Sequence, residues 1–572
     1  MAQRQTLPYP PQFTSSESYI KSLLTFSLNP LFQTLCGGVH ILDFFTRDSS
    51  TAAPPLGTDL YHTILPVEWI TYFTTKSLDE ILELVLRTEI PGIESSCPET
   101  LKTFVADVRA HSLQREFKRK DRERKALRKS MGAGRKDGEE WALNAGMKPK
   151  KIHEVENFSE FVDDLVTDIA KENPEDGITH ILDFGSGQAY LSRTLAKKYN
   201  YHVVGIESRT ANIDGAKEMD ERFDNLAKKR EKKKKGKGKK EGGLDLEEGP
   251  IEEEEASGSL QYIEKRIEDG NLSEVVREIR DLSISEKNPK TEPAINNESC
   301  KNGECRSINH NQAQNQINGT LKQDNDKRLL LISLHSCGNL VHHALKAFIA
   351  TPEVKAVALI GCCYNLMTEK LGPTYKPPYR DLHPRLIKTS ISTDPHGFPL
   401  STLLTDNSIS LNITARMMAC QAPQNWTQET SSAFFTRHFF RALLQRIFAD
   451  KGLISPDGGE PVIIGSLRKK CYEDFVSYVT GAISKLGWEE KVNITAAEIK
   501  GYEERFGDRK KDLSVLWCLM AFCAGVVESL VVVDRFAYLS EAKERGELRE
   551  CWVEAGFEYS ESPRNLVVVG VR

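Results

Sequence analysis

The sequence has no apolar run long enough to cross a bilayer, which takes about 18 residues. Ala521–Val533 stops short of that and is interrupted by Glu528, so no membrane segment is expected. The N-terminus lacks the basic-then-apolar pattern of a secretory signal. The twelve cysteines lack the compact, regular spacing of a disulfide framework. Cys300 and Cys305 have no second pair with which to hold a metal. These absences argue against a small secreted domain. They point to a reduced, intracellular protein, cytoplasmic and/or nuclear, in which Asn412-Ile413-Thr414 is a chance glycosylation triplet. Net charge is also nearly absent, at −5 over 572 residues. The total therefore names no partner, and only the arrangement of charge is informative. No Gly-Lys-Ser/Thr phosphate loop, Ser-His-Asp set or strong metal cluster stands out.

What is present is one organised stretch, ILDFGSGQAYLSRTLAKKYNYHVVGIE, from Ile181 to Glu207. An apolar strand ends at Asp183 and a tight Gly185-Ser186-Gly187 turn follows. A helical run (Tyr190, Leu191, Leu195) leads to a second strand that closes on Glu207. Strand, glycine turn, helix, strand and acid make the opening half of a doubly wound nucleotide-binding unit. Tyr190 stands where a dinucleotide site wants a third glycine, which disfavours NAD. S-adenosylmethionine has no phosphates, so one glycine turn suffices to admit it. Asp183 would face its amino group and Glu207 its ribose diol. Asp269, after a third strand at Leu260–Ile267, is placed to accept from the adenine amine. Methyl transfer from a sulfonium needs mainly orientation and electrostatics, with a base only when the acceptor must lose a proton.

Around this unit, residues 1–115 show helical spacing (Ile81, Leu82, Val85, Leu86; Leu101, Phe104, Val108) and read as an α-helical N-terminal region. Residues 116–146 form a basic linker or helix: Gln114–Lys129 is either an RNA-facing surface or a solvated charged helix. An amphipathic helix through Phe158, Val162 and Ile169 precedes the first strand and is expected to cover a sheet edge. Residues 147–572 carry the sheet, interrupted by low-complexity, disordered insertions at 228–258 and 283–327. The first, with Lys228–Lys240 beside Glu247–Glu255, is either a nuclear-import or RNA-attracting segment or a self-neutralising linker. Further strands are read at Leu329–Leu334, Val354–Ile360, Leu530–Asp534, around Phe557–Tyr559, and at Asn565–Val571. The seven-stranded sheet should end in an antiparallel strand. His335, Cys337, Cys362 and Cys363 follow two strands at the carboxyl end of the sheet, where ligands of such sheets bind. Small buried thiols are the expected reading there rather than zinc, so no metal is assigned.

The set MKPKKIHEV, LDFGSGQAYLSR, SLHSCGNL, GCCYNLMTE, FPLS, ITARMMACQ, VVVDRFAYL and SPRNLVVV, in this order, resembles the methyltransferase-like 25 family. That family includes proteins named for a ribosomal-RNA adenine dimethylase domain. The resemblance implies a class I methyltransferase, Rossmann-like fold and S-adenosylmethionine dependence. It places the cofactor motif on Asp183, Gly185, Ser186 and Gly187. The Lys-Lys-x-His-Glu element falls on Lys150, Lys151, His153 and Glu154, with Lys150, Lys151 and His153 closing over substrate. His335, Tyr364 and Asn365 would line the acceptor side. Ala189 stands where many relatives carry glycine, and Asn365 where many carry histidine, which removes a general base there. LHSCG occupies the position of the Asp/Asn-Pro-Pro-aromatic motif of amino-methylating enzymes. The two strand-end corners are instead similar to a tRNA ribose-2′-O-methyltransferase family, a short pointer toward RNA. The expectation is an S-adenosylmethionine-dependent methyltransferase acting on RNA or an RNA-associated protein. The alternative is a non-catalytic scaffold that keeps the fold.

Overall fold

Apolar residues on both faces of the central strands require cover on both sides. The computed structural model describes residues 5–45, 60–118, 143–238, 258–268, 270–279, 327–371, 393–454 and 462–572. It gathers β1 (His180–Phe184), β2 (Val203–Glu207), β3 (Leu260–Glu264), β4 (Leu329–Ser336), β5 (Val354–Gly361), β6 (Glu550–Ala555) and β7 (Leu566–Val571) into one sheet, ordered β3-β2-β1-β4-β5-β7-β6. Strands β1 to β5 pair in parallel, and β7 runs antiparallel between β5 and β6. The chain moves outward from β1 to β3, then crosses back to place β4 on the other side of β1. That reversal is the switch point at which open α/β sheets bind ligands. The fold is Rossmann-like, with the antiparallel closing strand expected.

Helices that frame the sheet and its neighbouring core include α1 (Ser16–Ser27), α2 (Val67–Thr74), α3 (Leu78–Leu86), α4 (Glu99–Ala110), α5 (Pro149–Glu172), α6 (Tyr190–Tyr199), α7 (Thr210–Gly238), α8 (Leu340–Ala350), α9 (Gln428–Asp450), α10 (Lys510–Phe522) and α11 (Ala524–Glu544). Side chains alternate across a strand, so each strand feeds two cores. Ile181, Val203, Leu330 and Val567 pack against α5 and α6. Leu182, Val204, Leu331 and Val568 face α8, α11 and the N-terminal helices. Leu101 and Phe104 of α4 share this second cluster with Val526 and Leu530 of α11. Leu113 N–H donates to Ser529 Oγ at 2.8 Å, and Val553 N–H to the Thr6 carbonyl at 2.9 Å. The N-terminal helices and the sheet therefore share one core.

Several sequence expectations are corrected here. Leu530–Asp534 is not a strand but part of α11. This helix is buried on nearly every side, so it has no polar face to reveal its period, and its Val-Val-Val run mimics a strand. The penultimate strand is Glu550–Ala555, and Phe557–Tyr559 lies beyond it in the connection to β7. β3 stops at Glu264, three residues short of the expected end. Helix α5 covers a face of the sheet rather than an edge, its Phe158 and Val162 joining strands from β1 to β7. Helix α7 runs into the lysine block as far as Gly238. The remainder of that insertion, nearly all of the second, most of the basic linker, and Asp269, Cys300 and Cys305 lie outside the described residues.

The helical stretch Ala496–Glu544 holds an 18-residue window apolar enough to cross a membrane, and 94% of that window is buried inside the protein. A core helix passes the same test.

Candidate active site

The turn after β1 is strapped to β2: the Gly185 and Ser186 N–H groups donate to the Ile206 carbonyl at 2.8 and 3.2 Å. Gly185 and Gly187 take φ of 69° and 56°, a region that favours glycine. Ala189, the last residue before α6, also has φ 56°, at a cost of about 1–2 kcal/mol. A Cβ on Gly187 would meet nothing within 4 Å, so the turn opens onto free space. A Cβ on Gly185 would come within 3.1 Å of Leu340 Cδ2.

Glu207 ends β2 and is 8% exposed. Its Oε2 accepts the Gly187 N–H at 3.0 Å, and its Oε1 those of Ser208 and Arg209 at 2.9 and 3.0 Å. The carboxylate thus fixes the glycine turn while Oε2 keeps a second lone pair. Ser186 lies over Gly205, where an added Cβ would be 3.0 Å from its Oγ.

Asp183 is 3% exposed and accepts the Ser192 hydroxyl at 2.5 Å. Burial pushes its carboxyl up to about 7, against the pull of Ser192 and the nearby His335. A raised acid stabilises the fold below its unfolded pKa of about 3.9, and that contribution is lost as pH rises through about 7. Asp183→Asn is therefore expected to be more stable than wild type at pH 8 by ~2–4 kcal/mol, one displaced pKa unit being ~1.4 kcal/mol. The gap should close toward pH 4. Urea unfolding at both pH values checks it, and equal stabilities at pH 8 would overturn the assignment of a strained buried charge.

At the end of β4, His335 is the one exposed side chain. Its Nε2 lies 3.1 Å from Glu154 Oε2 on α5. Glu154 is 2% exposed, and its Oε1 accepts the Ser562 hydroxyl at 2.6 Å. Burial raises its carboxyl, but the hydrogen bond and charge of His335, with Ser562, outweigh that and leave it below the usual range. Lys150 Nζ lies 3.9 Å from Glu154. Lys151 lies over the Tyr190 ring at 4.3 Å, and its ammonium is lowered by burial. His153 accepts the Glu558 N–H at 3.2 Å, in the same β6–β7 connection that supplies Ser562.

Tyr364 does not line the acceptor side. It is 2% exposed and donates its hydroxyl to Glu528 Oε1 at 2.7 Å. Asn365 is half-buried and accepts the Cys420 thiol at 3.4 Å. Cys337, Cys362 and Cys363 converge, their sulfurs all within 4.8 Å of one another. Cys337 is exposed and the other two are half-buried, which corrects the expectation of small buried thiols. Two cavities of about 320 and 250 Å³ lie among the helices, beside Trp517 and Leu530 respectively. Neither is lined by these residues.

Residues 150–370 match the model of a methyltransferase domain. The human protein named "Probable methyltransferase-like protein 25" is 27% identical over 484 residues, covering 74% of this chain and 75% of its own. Its mouse counterpart, of the same name, is 27% identical over 452 residues, 69% and 70% of the two chains. Over about three quarters of its length the chain is similar to the methyltransferase-like 25 proteins. No solved structure matches it.

Two residues outside the candidate site sets hold neighbouring groups in place: Glu154, already part of the Lys-Lys-x-His-Glu element, beside His335, and Glu528 behind Tyr364. Glu154 falls on the apolar stripe of α5, at helical spacing from Phe158, Val162 and Leu165, and an acid on such a stripe is the signal that marks it. Glu528, 1% exposed, is paired with Arg115 and Arg564, each at 2.6 Å, as well as with Tyr364. Its position inside an apolar run is the corresponding signal.

Proposed function

We propose that this methyltransferase-family chain uses S-adenosylmethionine and methylates RNA or an RNA-associated protein. The observation that carries the cofactor reading is the open glycine cradle at Gly187, tied by its own N–H to the acid that ends β2. Asp183, Gly185, Ser186, Gly187 and Glu207 would hold the cofactor. When bound, it supplies an activated methyl group, so this chain's task is orientation and, where needed, removal of a proton.

The His335–Glu154 pair suits that second task. Glu154 is fixed by Ser562 and holds His335 by Nε2, which leaves Nδ1 to take a proton from the acceptor. The basic segments flanking and interrupting the methyltransferase domain support a polyanionic or polyanion-associated substrate.

Calorimetry with S-adenosylmethionine tests the first claim, and binding by the wild-type chain is expected. Mass spectrometry of modified nucleosides and methylated residues, with and without the protein, tests the second. His335→Ala should bind cofactor normally and lose about 10²–10⁴-fold in transfer rate. Absence of cofactor binding would overturn the reading. Binding without transfer to either RNA or protein would return the chain to a non-catalytic scaffold.

A further inference from the structure

The corner where β4 and β5 end carries a second chemistry, one that methyl transfer does not require. Cys337 Sγ lies 3.4 Å from Cys362 Sγ, and Cys362 Sγ 3.5 Å from Cys363 Sγ. All three sulfurs fall within 4.8 Å. Disulfide sulfurs would be about 2.05 Å apart. Zinc–sulfur bonds of about 2.3 Å in tetrahedral array set sulfurs ~3.8 Å apart, close to the separations seen.

The backbone holds the three in place. Gly338 N–H donates to the Cys363 carbonyl, and Cys362 N–H to that of Ser336, both at 3.3 Å. Gly338 takes φ 59°, and a Cβ there would press to 2.8 Å from the Leu366 carbonyl oxygen, so only glycine lets the loops close this far. Behind them Arg535, 1% exposed, packs its guanidinium against Gly361. Its Nε has no hydrogen-bond partner among the described residues. That cation offsets the excess negative charge of three thiolates around a divalent ion.

We propose that Cys337, Cys362 and Cys363 bind one zinc ion, with a fourth position open toward the acceptor side of the cleft. Binding exchanges thiol protons for the metal with no change of oxidation state. Three protein ligands and one open position is the pattern of zinc sites that take part in chemistry rather than only bracing a fold. The open position would take an acceptor atom or water.

The test uses the full chain, purified under reducing conditions. One equivalent of zinc is expected by elemental analysis. After chelation and reloading with Co²⁺, thiolate-to-cobalt charge-transfer bands and the visible bands of a tetrahedral site are expected. Cys337→Ser and Cys362→Ser should each weaken zinc at least about tenfold in chelator competition while keeping the wild-type circular dichroism. Cys551→Ser, remote from the corner, should match wild type and controls for general loss of thiols. A metal-free chain showing no thiolate-to-cobalt bands with excess Co²⁺ would overturn the proposal. So would bands unchanged in Cys337→Ser, or recovery of two of the three sulfurs as a disulfide. None of these readouts depends on methyl transfer, so this proposal and the functional one can fail separately.

Discussion

Glu528→Ala should lower the stability of the chain by about 3–5 kcal/mol, the cost of leaving a buried charge without its partner. Glu528 lies in α11, and its carboxylate meets Arg115 from the segment after α4, Arg564 from the loop before β7, and the Tyr364 hydroxyl. Removing it leaves two largely covered guanidiniums without their carboxylate. Burial raises the Glu528 carboxyl, but Arg115, Arg564 and Tyr364 outweigh it and hold the group below the usual glutamate range. A depressed acid contributes stability above its unfolded pKa of about 4.3 and loses it as pH falls through the folded value. The difference between wild type and Glu528→Ala should therefore be full at pH 7 and shrink in acid. Tyr364→Phe, which removes one hydrogen bond and strands no charge, should cost only about 1 kcal/mol. Urea melts of the three proteins at pH 7 and pH 4 measure both effects. A Glu528→Ala loss no larger than that of Tyr364→Phe would show that the ion cluster is not a stabilising staple.

The second large effect is on ligand binding rather than on folding. Gly187→Leu should weaken S-adenosylmethionine binding at least about 100-fold, or ~2.7 kcal/mol. The stability cost should be only the ~1–2 kcal/mol of a side chain at positive φ. The separation arises because a Cβ at Gly187 touches no protein atom within 4 Å, so the added side chain extends into the space the cofactor would use. Glu207→Ala tests the other half of the cradle. It frees the Gly187 N–H and removes the only acid at the end of β2, and it should weaken binding as well. Calorimetry paired with thermal melting separates the two readouts. A Gly187→Leu chain that melts near wild type and binds cofactor with undiminished affinity would remove the glycine turn from the site.

How much was legible beforehand follows from how local each signal is. The glycine turn and Glu207 are close in sequence, and φ values of 69° and 56° at Gly185 and Gly187 leave a mark in residue type. The parallel strands announced themselves as short apolar runs with polar ends. Leu530–Asp534 misled because full burial erases the periodicity that separates helix from strand. The Glu528 cluster was out of reach for a different reason, and the thiol corner could be placed at the ends of two strands but not in its sulfur separations. Arg564 is 36 residues from Glu528, and Cys362 is 25 from Cys337. Only the return of the chain to a shared corner makes them neighbours. His335 could be singled out from its place after β4, but the carboxylate behind it comes from 181 residues earlier.

The hydrogen bond from Leu113 to Ser529 joins residues 416 positions apart, and this bears on how the protein is made. Ribosomes add about 5–20 residues per second, so Leu113 waits roughly 20 to 80 seconds for its partner to be synthesised. Until then the apolar faces of α1 to α4 have no α11 to cover them. Folding from the N-terminus forward cannot complete this core, and the early helices must be kept from other contacts while the sheet is translated. The nascent chain is accordingly expected to depend on holding factors during synthesis. Cutting the chain near residue 115 would leave two fragments with matching exposed faces rather than two independent domains.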